Sequence, residues 1–113
     1  MNEKLRKTAK YKKLKEDLIK QIVDKNNDTP VFRDMINQYM DLWLISEMLK
    51  EDIEERGVNT RYDNGGGQTG FKRNDSVNEL NKVVTTMMKL LAQLKIQTND
   101  DEVSVDSNDD FEL

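Results

Sequence analysis

The stretch RYDNGGGQTGFKRND, Arg61 to Asp75, holds four of the chain's five glycines and three basic residues, Arg61, Lys72 and Arg73. Gly65, Gly67 and Gly70 have the G-x-G-x-x-G spacing that lets a backbone approach a dinucleotide pyrophosphate. That chemistry needs a strand before the glycines and a helix N-terminus directly behind them. Here the preceding residues, SEMLKEDIEERG, read as a charged helix end. A P-loop is excluded as well, because Phe71 stands where the phosphate-binding lysine belongs. A different anion chemistry fits: Arg61, Lys72 and Arg73 lie close to the start of the following helix, where backbone N–H groups and the dipole attract phosphate. Such a tip can touch a DNA backbone, weakly in one copy and more strongly when repeated.

Other reactive combinations are missing. The chain has no histidine and no cysteine, which excludes disulfides, thiolate nucleophiles, imidazole bases and the usual zinc sites. Glu51, Asp52, Glu54 and Glu55 are consecutive helix acids that point in different directions. They read as a solvated face, with Lys50–Glu54 and Asp52–Arg56 as i,i+4 pairs. No metal, cofactor or catalytic residue is expected.

The elements that carry these residues follow from periodicity. Tyr11, Leu14, Leu18 and Ile22 share one face of a first helix from Glu3 to about Asn26. Its first half, Lys4 to Lys15, carries seven bases and no acid and reads as an exposed basic arm. Asn26 to Thr29 is a break; Thr29 or Asp28 caps, and Pro30 opens a second helix that runs to Arg56 and stops at Gly57 in a left-handed conformation. The apolar stripe of this second helix is wider than one neighbour requires, so it is read as covered by its own chain and by another. The glycine-rich connection spans residues 57–74. Ser76 and Glu79 match a capping box for a third helix, in which Val77, Leu80, Val84, Met87, Leu91 and Leu94 form a seam. The expected fold class is therefore all-α, without strands: a basic N-terminal helix (1–27), a long antiparallel helical hairpin (28–96) and an acidic, disordered tail (97–113).

The charge is strongly polarised. Residues 1–25 carry nine Lys/Arg and four Asp/Glu, for +5, whereas residues 97–113 carry seven acids and no base, for −7. With an overall charge of −4, the middle is left at −2. The two ends suit different partners, the basic one phosphate. No apolar run is long enough to cross a bilayer and no signal-peptide core is present, so a non-secreted, membrane-free protein is expected. Only 35% of residues are apolar, so little core is available to one copy and self-association is expected.

Three segments together resemble the small terminase subunits of tailed phages, of the short type found in phages of Gram-positive hosts. They are INQYMDLWLISEMLKEDIEERGV (Ile36–Val58), YDNGGGQTGFKRNDSVNELNKV (Tyr62–Val83) and MMKLLAQLKI (Met87–Ile96). The shared features are a Y-x-x-L-W stretch (Tyr39 to Trp43), an R-G turn (Arg56-Gly57), a K-x-N sequence (Lys72 to Asn74) and a closing L-x-x-L-x-I (Leu91 to Ile96). The resemblance implies a non-enzymatic, ring-forming subunit that recognises double-stranded phage DNA and presents it to the large ATPase/nuclease subunit. The expected place of action is the host cytoplasm during phage assembly.

The chain departs from many such proteins in one respect: fewer than 30 residues precede the helical hairpin, too few for a separate helix-turn-helix. DNA contact is therefore assigned to Lys4, Arg6, Lys7, Lys10, Lys12, Lys13 and Lys15, with Arg61, Lys72 and Arg73. Contacts between copies are assigned to Phe32, Met35, Ile36, Tyr39, Leu42, Trp43 and Leu49 with Leu80, Val84, Met87, Leu91 and Leu94. Phe111 and Leu113, set among acids, are read as a docking motif for the large subunit or the portal. The alternative reading is a helical protein–protein adaptor that oligomerises through the hairpin and does not bind DNA.

Overall fold

The computed structural model describes residues 3–65 and 68–98. The elements run α1 (Glu3–Arg6), α2 (Ala9–Asp24), α3 (Pro30–Arg56), β1 (Asn59–Gly65), β2 (Gln68–Arg73) and α4 (Asp75–Leu94). The protein is mostly helical, as expected, but the glycine-rich connection contains two strands where the sequence suggests none.

The first helix is broken in two. Thr8 accepts a hydrogen bond on its hydroxyl from the Tyr11 amide at 3.2 Å and donates one to the Leu5 carbonyl at 2.8 Å. A threonine that competes for backbone groups in this way ends one helix and caps the next. α2 then runs antiparallel to α3. Tyr11 is buried against Trp43, ring centroids 5.8 Å apart in a tilted arrangement.

α3 spans the limits read from sequence, with Thr29 accepting from the Phe32 amide at 3.1 Å and Pro30 at its first position. Asp28 does not cap; it takes both arms of the Arg33 guanidinium, at 2.6 and 2.9 Å. α4 returns antiparallel along α3, so α2 and α4 both lie against it. This arrangement accounts for the wide apolar stripe of α3: Ile36, Tyr39, Met40, Trp43 and Leu44 are buried within one chain, together with Leu18, Ile22, Met87 and Leu94.

The base of the bundle is tied by α2 and the end of α4. Gln21 and Gln97 exchange two hydrogen bonds, at 2.7 and 3.1 Å, and the Lys25 ammonium donates to the Lys95 carbonyl. Lys95 closes α4 with a left-handed φ of 58°. At the opposite end, β1 and β2 pair antiparallel, with Asn59 opposite Arg73, Thr60 opposite Lys72 and Arg61 opposite Phe71. A bulge falls between Asp63 and Gly65. Thr60, Tyr62, Thr69 and Phe71 are residue types that favour strands.

Candidate nucleic-acid interface

An isolated two-stranded hairpin is marginal in water, so what holds this one matters. Its root is a polar clasp around Asn74, which is only 1% exposed. The Asn74 amide donates to the Val58 carbonyl at 2.6 Å, closing the hairpin. Its side-chain NH2 donates to the Gly57 carbonyl at 2.9 Å and to Asp52 at 3.2 Å. Its side-chain oxygen accepts from the Ser76 amide at 3.0 Å and from Arg56 at 3.1 Å. Asp52 in turn takes two bonds from the Arg56 guanidinium, at 2.7 and 2.9 Å, and one from the Ser76 hydroxyl at 2.7 Å. The Arg56 hydrogen bonds, then those of Ser76 and Asn74, hold the Asp52 carboxyl well below the usual carboxylate range.

These contacts change three expectations. Asp52 is not part of a solvated face; it joins the end of α3 to the start of α4. Asn74, not Ser76, is the N-cap of α4, and Ser76 is a buried residue of its first turn. The Glu79 side chain does not complete a capping box but lies 3.6 Å from Lys82. Two smaller differences follow the same pattern. Lys50 pairs with Glu47 at 2.9 Å, not with Glu54. Gly57 has the positive φ expected, 86°, but with ψ at 174°, a conformation essentially confined to glycine and outside the left-handed helical well. The R-G and K-x-N features of the sequence meet here, through Arg56, Gly57 and Asn74.

The clasp presents the hairpin cations to solvent: Arg61, Lys72 and Arg73 are all exposed, and Phe71 between them is 73% exposed. The second basic set lies on the outward half of α2, where Lys10, Lys12 and Lys13 are exposed, with Lys7 just before it. The other members of the arm are placed differently. Arg6 donates to the Tyr11 hydroxyl at 3.2 Å and pairs with Asp41 at 3.4 Å. Lys4 lines a cleft with Glu47, Glu51 and Glu54 of α3, and Lys15 is half-buried.

The residues assigned to contacts between copies lie largely inside the fold of one chain. Ile36, Tyr39, Trp43, Met87 and Leu94 are buried; Phe32, Met35, Leu42 and Leu91 pack partly buried against them. Leu49 and Leu80 are half-buried, and Val84 is exposed. The exposed large apolar side chains of α3 and α4 are Val31, at the start of α3, and Met48, Val84 and Met88 further along the helical hairpin. Phe111 and Leu113 lie outside the described residues.

Among the described residues no group of acids could hold a metal ion, and no helix is long and apolar enough to cross a membrane. The fold and its exposed cations thus define a small, mostly helical protein with two exposed basic surfaces. The particular family is given by comparison. The family model of the phage terminase small subunit matches residues 11–105, most of the chain, and the chain belongs to that family. Its place is accordingly in phage DNA packaging. The match begins at Tyr11, so it takes in Lys12, Lys13, Lys15 and the whole β-hairpin but not α1. No curated protein and no solved structure matches the chain.

Proposed function

We propose that this protein is the DNA-recognition subunit of a phage packaging machine. It binds duplex phage DNA, assembles with copies of itself and presents the DNA to the large subunit that carries the ATPase and nuclease. It does so without catalysis of its own. The observation that carries this reading is the family match over residues 11–105, which spans both exposed basic surfaces except Lys7 and Lys10.

Phosphate contact falls to Lys7, Lys10, Lys12 and Lys13 and to Arg61, Lys72 and Arg73, all exposed; Lys4, exposed as well, lines the cleft with Glu47, Glu51 and Glu54 and is left out. Lysines act on phosphate as point charges, so binding by α2 is salt-dependent and largely indifferent to sequence. Arg6 has a structural role beside it, through Tyr11 and Asp41. Contact between copies is best supported at Met48, Val84 and Met88, with the half-buried Leu49 and Leu80 beside them. The acidic segment 97–113, with Phe111 and Leu113, is the docking element for the large subunit or the portal.

Duplex binding measured across a salt series tests the reading. The expected result is an affinity that falls steeply with salt and a smaller slope when Lys10, Lys12 and Lys13 are replaced by alanine. An adaptor that binds only protein is the reading to adopt if neither the wild-type chain nor its assemblies bind duplex at low salt.

A further inference from the structure

We infer that the face of the β-hairpin bearing Arg61, Phe71 and Arg73 is a wedge for the minor groove of duplex DNA, with Phe71 pressed against a base step and the two guanidiniums on flanking phosphates. The inference rests on the DNA-binding reading and goes beyond it by naming an element, a groove and a mode of distortion.

The argument begins with register. Arg61 stands directly opposite Phe71, and Asn59 directly opposite Arg73. Residues opposite each other in an antiparallel pair share a face, as do residues two apart on one strand. Asn59, Arg61, Phe71 and Arg73 therefore form one patch, with an aromatic ring set between two cations. Lys72, opposite Thr60, belongs to the other face. Nearer the turn the pairs are Tyr62–Gly70 and Asp63–Thr69, so the basic part of the patch is at the root of the hairpin. The root is the end held by Asn74, Asp52, Arg56 and Ser76, so the patch has a fixed direction relative to α3 and α4.

A phenylalanine left 73% exposed on a ribbon of otherwise polar residues calls for a partner that covers it. The flanking arginines state what kind. A second copy of the same face would bring like charges together. A duplex supplies phosphates for the arginines and a stacked base step for the ring. The minor groove is favoured over the major one because apolar side chains wedged into base steps from that side kink the duplex, while cations beside them hold the phosphates that line the groove. Phe71 has no donor or acceptor with which to read base edges in the major groove.

The test uses the full chain and a short mixed-sequence duplex labelled at both ends, with energy transfer reporting bending and a salt series reporting charge contacts. Wild-type protein should shorten the end-to-end distance. Phe71→Ala should leave the salt slope unchanged, abolish the bend and weaken binding about tenfold. Arg61→Ala and Arg73→Ala should each lower the slope by about one. Because Phe71 is exposed, its alanine variant should melt like wild type, and Phe71→Trp should restore the bend. A Phe71→Ala protein that bends the duplex like wild type overturns the wedge. So does a variant whose assembly mass falls while its affinity per assembled chain holds, which would make Phe71 a contact between copies. If Lys10, Lys12 and Lys13 prove necessary for binding and the hairpin residues do not, the DNA-binding reading stands and the wedge falls. If the wild-type protein binds no duplex at any salt, both fall.

Discussion

Asn74 and Asp52 join the end of α3, the root of the β-hairpin and the start of α4 through their side chains. Asn74 caps α4, closes the β-hairpin and bridges to α3 with one side chain, all at 1% exposure. Replacing it with alanine removes the cap and strands buried partners, so Asn74→Ala should cost about 2–3 kcal/mol in a urea unfolding experiment. The substitution Asn74→Asp keeps the shape and the capping oxygen but loses the donors to Gly57 and Asp52. It also sets a carboxylate oxygen against the Asp52 carboxylate and the Gly57 carbonyl, so near neutral pH its stability is expected to fall at least as far as that of the alanine variant.

The Asp52 carboxyl adds a pH dependence whose sign is fixed. Its folded value lies below its unfolded one, held down first by Arg56 and then by Ser76 and Asn74. Its contribution is full above the unfolded carboxylate range, about pH 4, and is lost as pH falls below that. The urea midpoint of wild type should thus drop below pH 4 more steeply than that of Asp52→Asn, and the two profiles should run parallel from about pH 5 to 7. Asp28 is lowered by Arg33 in the same way and acts equally in both proteins, so it cancels in the comparison.

Neither residue is legible as a hub in the sequence. Asp52 finds Asn74 and Ser76 more than twenty residues away, a separation no helical period reports. Asn74 is hidden behind Ser76-x-x-Glu79, which carries the capping signature but sits two residues inside the helix. The features that do point here are the R-G and K-x-N pairs, visible as sequence marks without a physical reason until the fold joins them.

Helix limits set by side-chain chemistry are readable. Thr29, Pro30 and Gly57 bracket α3 because each acts on its own backbone, a local matter. The break at Thr8 and the two strands escape a sequence reading because the competing signals are stronger. Lysines with good helix propensity lead, with no Gly or Pro among them, into the apolar repeat that starts at Tyr11, and a run of glycines outweighs the short alternation around it. Gly57 gives the element scale a direct test. A Cβ there would meet only the Asn59 carbonyl, at 3.7 Å, so the obstacle is conformational, not steric. With φ at 86° and ψ at 174°, Gly57→Ala should lower stability by about 1–3 kcal/mol and loosen the hairpin root, seen as faster hydrogen exchange at the Asn74 amide. The contact between Tyr11 and Trp43 bears on how α2 is held. Trp43→Ala should unfold or markedly destabilise the chain, by about 3–5 kcal/mol, because the ring is buried among α2 and α3 and is no surface anchor.

For the whole molecule, the covered stripe of α3 moves the expected site of assembly outward to Met48, Val84 and Met88. Light scattering or native mass spectrometry of a Val84→Asp, Met88→Asp protein should show a smaller species than wild type with an unchanged melting temperature. A mass that does not move would take this face out of the assembly. Trp43→Ala cannot serve for that purpose, since its loss affects the chain before any contact between chains.

The hydrogen-bonded pair Gln21–Gln97 fixes the foot of the bundle, where α2 meets the end of α4. The β-hairpin rises at the other end of α4, 20 residues or about 30 Å away. Under the proposed packaging role, a partner held at that foot would stand one helix length from DNA held at the β-hairpin, so the length of α4 sets the distance between the two.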